Sequence, residues 1–138
     1  MTFCTFERKE LPPVARSIVL VSLLHDHRVK YWLDSAVVMP DHVHLILMPY
    51  EDVLHDLLQA MKGASSHQIK HLGIERPPIW QEESFDHILR NDESARKKGD
   101  YICENPVRKG LVKSPDEWPW LWRSWIDSAA GGGARRHT

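Results

Sequence analysis

At 138 residues, 42% of them hydrophobic, the chain is long enough for one domain with an apolar core and too short for two comfortable ones. Lysine and arginine (18) nearly balance aspartate and glutamate (19), so a nucleic-acid partner has to be held by a local patch and not by a basic whole. Two distant cysteines, Cys4 and Cys103, argue against a disulfide framework and fit a reducing cytoplasm, while the longest apolar run, SIVLVSLL at 17–24, falls short of a membrane span and the N-terminus lacks a signal-peptide layout.

MTFCTF opens the chain with the β-branched and aromatic content of a strand, and Pro12-Pro13 marks a break before the next element. By periodicity VARSIVLVSLLHDH fits a buried strand or a buried helix; its length and the placement of the prolines favour helix. KYWLDSAVVM and HVHLILM flank Pro40-Asp41, a short turn between two antiparallel strands. From Glu51 onward Val53, Leu54, Leu57, Leu58, Met61 and Ala64 recur at three-and-four spacing, with acids early, Lys70 and His71 late and Gly73 as a stop, so the spacing predicts an amphipathic helix. IWQEESFDHILR after Pro77-Pro78 reads as a further strand, and NDESARKKGDYICENPVRKGLV as a helix from Asn91/Asp92 towards Pro106. The order β-α-β-β-α-β-α predicts an α+β domain, an antiparallel sheet with helices packed on one face. That single domain takes residues 1–128, and AAGGGARRHT at 129–138 reads as a flexible tail.

Within MPDHVHLILMP two histidines stand one residue apart. On a strand His42 and His44 project from one face while Val43, Leu45 and Leu47 pack the other. Two neutral imidazoles so placed can share a divalent ion, or they can simply line a half-exposed face; a metal that does chemistry also needs a third ligand and an open position. Tyr101 and Asn105 are four apart and share a face if the helix persists, setting a phenol beside an amide oxygen able to bind a hard cation. Against this, Pro106 biases Asn105 away from helical geometry, and Asn105 could instead cap a second short helix ending near Gly110; Tyr101 could be an amphipathic tyrosine at the core margin. Around the tyrosine segment cluster Arg90, Arg96, Lys97, Lys98, Arg108, Lys109 and Lys113, enough for phosphate contacts or for an ordinary solvated face. Trp80 and the group Trp118, Trp120, Trp122 and Trp125 could stack bases or pack against the sheet, and His87 and Asp86 are either a neighbouring base or a surface pair at a strand end.

The H-hydrophobe-H motif in MPDHVHLIL, followed in order by IWQEESFDHILR, YICENPVRKGLV and EWPW, resembles the IS200-type Y1 transposases, in particular the REP-associated tyrosine transposases, over about residues 30 to 122. The resemblance implies an HUH endonuclease fold, with a ferredoxin-like antiparallel sheet carrying the histidines and a helix presenting a nucleophilic tyrosine. It places His42 and His44 on the family's metal-binding pair, Tyr101 on its nucleophile, Asn105 on the polar residue that completes the metal site, and Lys62 with Gly63 in a stretch that touches DNA. The implied cofactor is Mg²⁺ or Mn²⁺. The implied activity is cleavage and rejoining of single-stranded DNA near a hairpin, through a 5′-phosphotyrosine, by a cytoplasmic monomer or homodimer with no membrane partner.

Two rivals stand beside this reading. A histidine-triad nucleotide hydrolase also alternates histidines on an apolar strand, but the place for its third histidine holds Ile46. A catalytically silent, hairpin-binding relative of a transposase would need no chemistry at all, and Tyr101 with both histidines intact argues against it.

Overall fold

The structure is a computed structural model that describes residues 1–85 and 92–125. Arg90, the pair Asp86 and His87, and the tail 129–138 lie outside the described residues. The first strand, β1 (Thr2–Thr5), leads through a short 3-10 turn to helix α1 (Pro13–His25). The hairpin strands are β2 (Tyr31–Val38) and β3 (His42–Pro49), followed by helix α2 (Leu54–His71) and strand β4 (Trp80–Phe85). Helix α3 (Asp92–Cys103), the one-turn helix α4 (Asn105–Arg108) and the short strand β5 (Leu121–Arg123) complete the order. The five strands form one antiparallel sheet in the order β4-β1-β3-β2-β5, the α+β architecture read from the sequence.

The ambiguous apolar run is helical. Pro13 occupies the first turn, where its missing N–H costs nothing, and Ala15, Val19 and Leu23, four apart, are buried. On α2 the buried residues Leu57, Leu58, Met61, Lys62, Ser65 and Ile69 form one stripe. That helix ends where Gly73 takes φ +70°, with the Gly73 N–H donating to Lys70 and the Ile74 N–H to Ile69, which satisfies carbonyls the helix leaves open.

The hairpin pairs Val38 with Val43 and Val37 with His44, the register the Pro40-Asp41 turn implies. A bulge between Leu33 and Ser35 inserts an extra residue in β2, so inward positions pass from Tyr31 and Leu33 to Ala36 and Val38. Together with Val43 and Leu45 these residues form the main core under α1 and α2. A second core lies on the opposite face, where Ile102 and Cys103 of α3 pack with Val37, Met39, Ile46 and Trp118. The expectation of helices on one face therefore holds for α1 and α2, while α3 takes the other side. That is the side on which β3 carries its histidines.

Two features press α3 onto the sheet. Gly99 meets it so closely that an added Cβ would lie 2.9 Å from the Trp125 ring and 3.2 Å from Ser35 Oγ. Arg96 stacks over the same indole at 4.2 Å. Trp118 seals the end of the hairpin by donating from Nε1 to the Val38 carbonyl at 3.0 Å, and Trp120 meets it edge to face. No helix among the described residues is long and apolar enough to cross a membrane.

Candidate active site

His42 and His44 stand side by side on β3, their rings 4.7 Å apart and nearly perpendicular. Each is anchored through Nδ1. The Asp41 carboxylate lies 2.7 Å from His42 Nδ1, and Arg8 in turn pairs with Asp41 at 2.9 Å. Thr2 Oγ1, on the neighbouring strand, lies 2.8 Å from His44 Nδ1. A carboxylate accepts only from a protonated ring nitrogen, so Asp41 fixes the His42 tautomer with the lone pair on Nε2; Thr2 can do the same for His44 by accepting from Nδ1–H. Burial pushes the Asp41 carboxyl up, but the hydrogen bond from His42 and the Arg8 guanidinium outweigh it and hold it below its ordinary value. Burial, the His42 imidazole, the N-terminal ammonium, Lys98 and Arg108 all push His44 down from 6.5 to about 4, so it is neutral near pH 7.

Asn105 reaches this pair from α4. It is buried, and its Nδ2 donates to His42 Nε2 at 3.4 Å while its Oδ1 accepts from Arg108 Nη2 at 3.2 Å. Its side chain therefore points into the site and caps no helix; Glu104 precedes α4 without a side-chain cap bond. Tyr101, one turn earlier, is 58% exposed and available to a ligand. The Arg108 guanidinium carbon sits 3.9 Å from the centre of its ring and Lys98 Nζ 5.2 Å. An unbroken chain of contacts thus runs His44, His42, Asn105, Arg108, Tyr101.

Lys62 is a correction. It was expected to touch DNA, but it is 7% exposed, and its ammonium donates to the carbonyls of Gln81, Glu82 and Glu83 on β4. Burial lowers its pKa, opposed by the Glu83 carboxylate. It ties α2 to the edge strand. Trp80 offers no face to a base either: it is buried edge-on against Phe3, and its Nε1 donates to Ser65 Oγ at 3.0 Å. Lys97, Lys98, Arg108 and Lys109 lie on the exposed side of α3 and α4. Among the described residues no group of three or more His, Cys, Asp and Glu side chains is arranged to hold a metal, so a cation here depends on the Asn105 amide. The anchoring residues Asp41 and Thr2 went unread in the sequence. For Asp41 a signal existed in its position, directly before the first histidine and after the turn proline.

No protein-family model matches the chain. It is 33% identical over 89 residues to the REP-associated tyrosine transposase of Escherichia coli, a match covering 63% of this chain and 51% of that protein. The chain resembles the REP-associated tyrosine transposases. A putative REP-associated tyrosine transposase of Haemophilus influenzae is 28% identical over 97 residues, 62% of this chain and 55% of that protein. The chain spans about half the length of the curated relatives it matches. The solved structure of a REP-associated tyrosine transposase bound to a REP hairpin matches with a TM-score of 0.75 at 24% identity, over 99% of this chain and 86% of that one. At that identity the match shows the fold, and the resemblance read from the sequence is borne out.

Proposed function

We propose that this chain is a metal-dependent single-strand DNA endonuclease and strand transferase that acts beside a DNA hairpin, with Tyr101 as nucleophile and His42, His44 and Asn105 as the cation's ligands. The observation that carries the reading is the chain of contacts from the paired imidazoles through Asn105 and Arg108 to an exposed phenol. REP-associated transposases are the relatives it resembles, one of them solved on a REP hairpin, which supports DNA of that kind as the partner.

The donor set fits a divalent ion. Asp41 at Nδ1 leaves the His42 Nε2 lone pair facing Asn105, Thr2 leaves that of His44 free when it accepts from Nδ1–H, and the Asn105 amide supplies an oxygen once it turns. Two imidazole nitrogens and one amide oxygen leave positions for water and phosphate, as Mg²⁺ or Mn²⁺ requires. When bound, the ion neutralises charge building on the phosphate oxygens.

The remaining steps belong to the protein's own groups. Arg108 and Lys98 flank Tyr101 and can grip the non-bridging oxygens, holding the phosphate in line with the phenolic oxygen. Attack by that oxygen forms a phosphorus–oxygen bond and breaks the bond to O3′. The phenol gives up one proton, the departing 3′-oxygen takes one up, and the strand is left joined to Tyr101 by its 5′-phosphate. Because this link keeps the diester's energy, a second 3′-hydroxyl can reverse the step on new DNA. Extended single strands suit the site, since the exposed tyrosine has to meet a phosphate freed from a duplex.

Incubating the protein with Mn²⁺ and a hairpin oligonucleotide carrying a 5′ or 3′ single-stranded extension should yield a nicked strand. His42→Ala should retain the fold and lose the cleavage. Hairpin binding without any nick would leave the silent binding module as the better description.

A further inference from the structure

We propose that Arg108 is a catch on this site: it holds Asn105 in the orientation that keeps a cation out, and it lets go when a phosphate oxygen takes over as its acceptor. The inference rests on the metal-dependent reading above and adds a regulating contact to it.

His42 has its proton on Nδ1, facing the Asp41 carboxylate, and one lone pair on Nε2. In this structure that lone pair accepts from Asn105 Nδ2, and the amide oxygen is turned away to Arg108 Nη2. Both ends of a buried amide are therefore satisfied, and both are satisfied in the wrong sense for a ligand. A cation at His42 Nε2 needs the same lone pair and also wants the oxygen, so the amide has to turn end over end. Turning costs no volume, because the nitrogen and oxygen ends are nearly the same size. It does bring Nδ2–H against Arg108 Nη2–H, donor against donor, and the Arg108 contact then has to break.

What makes the break affordable is the rest of the Arg108 environment. The side chain is exposed, and its guanidinium carbon already lies 3.9 Å from the centre of the Tyr101 ring. A phosphate arriving at the phenol meets the guanidinium first and offers it charged oxygens in place of a neutral amide. Phosphate binding thus frees Asn105 to turn towards a cation, and a cation bound to Asn105 frees Arg108 for the phosphate. By linkage each must raise the affinity for the other by the same factor. Lys98, which stands on the same ring at 5.2 Å and whose charge is also felt at His44, makes no bond to Asn105 and serves as the control for charge alone.

The experiment measures Mn²⁺ binding by the loss of the free-ion electron paramagnetic resonance signal. A Tyr101→Phe background keeps an aromatic ring for Arg108 and stops cleavage. The parent, Arg108→Ala, Lys98→Ala and His42→Ala are titrated with and without a single-stranded oligonucleotide. Arg108→Ala is expected to bind Mn²⁺ roughly fivefold more tightly than the parent without DNA, the worth of about one hydrogen bond. It should also lose most of the gain that the oligonucleotide gives the parent, while Lys98→Ala changes the DNA-free affinity much less. Equal tightening by Arg108→Ala and Lys98→Ala would mean charge repulsion and no catch, and an unchanged Arg108→Ala would overturn the proposal outright. If no variant shows His42-dependent Mn²⁺ binding under either condition, the metal-dependent reading itself falls, and the catch with it.

Discussion

Asp41 holds His42 through Nδ1 at 2.7 Å, and this single contact decides which ring nitrogen the site presents. Without the carboxylate the imidazole can rotate or change tautomer, and the Nε2 lone pair is no longer aimed at Asn105. Replacing an anchoring partner of this kind weakens metal binding by about 10- to 100-fold in known sites. Asp41→Ala should therefore lose Mn²⁺ affinity in that range by calorimetry with little change in the fold. An affinity equal to the parent's would show that His42 is held by something else.

Lys62 anchors the edge strand. Lys62→Met keeps the aliphatic stem beside Phe3 but leaves the Gln81, Glu82 and Glu83 carbonyls without their shared donor. We expect a loss of about 1.5–3 kcal/mol in a urea unfolding curve, the usual worth of hydrogen bonding by a charged donor. DNA affinity of the folded variant, and its dependence on salt, should match the parent. A shallower salt dependence would return Lys62 to the DNA contacts.

His44 makes stability depend on pH in a defined window. Its native value of about 4 lies below the ordinary 6.5, so the folded state resists protonation that the unfolded chain accepts. Its contribution is present above about pH 6.5 and is lost as the pH falls towards 4. Unfolding midpoints at pH 7.5 and 5 should differ more for the parent than for His44→Gln. The same difference in both proteins would remove His44 as the cause.

Gly99 allows α3 to lie close over β2. A side chain there meets the Trp125 ring at 2.9 Å and Ser35 Oγ at 3.2 Å, and an indole packed under Arg96 has little room to give. Gly99→Val should tilt α3 and carry Tyr101 out of line, lowering the single-turnover rate of DNA attachment by roughly 100-fold, the scale of a 1 Å misplacement. Mn²⁺ affinity should fall too, because Asn105 follows α3 directly, but by less than the attachment rate, since His42 and His44 stand on the sheet. Parallel losses of both would point to general unfolding of that face.

The hairpin and α2 were legible because local chemistry fixes them: Pro40-Asp41 sets the turn, alternation sets the faces of β3, and Gly73 ends a stripe of four-apart apolar residues. Alternation also separated His42 and His44 from Val43 and Leu45. It could not say what covers the histidine face, since the packing of α3 depends on Ile102 and Cys103 meeting Val37 and Ile46 from far along the chain. The resemblance set Lys62 in a DNA-touching stretch, whereas its place beside Met61 and four residues after Leu58 sets it on the buried stripe. The tryptophans of the WPW segment gained a role only with the Val38 carbonyl in view. Asn105 was open between cap and site because Pro106 permits either, and the buried contact with His42 was out of reach of spacing.

The most direct test of the account is the covalent link itself. The protein is incubated with Mn²⁺ and a hairpin oligonucleotide, digested, and examined by mass spectrometry for a peptide carrying a 5′-phosphorylated strand. The account predicts the adduct on Tyr101, absent from Tyr101→Phe and from samples with chelator. A nicked strand with no protein attached, or an adduct that survives in Tyr101→Phe, would contradict it.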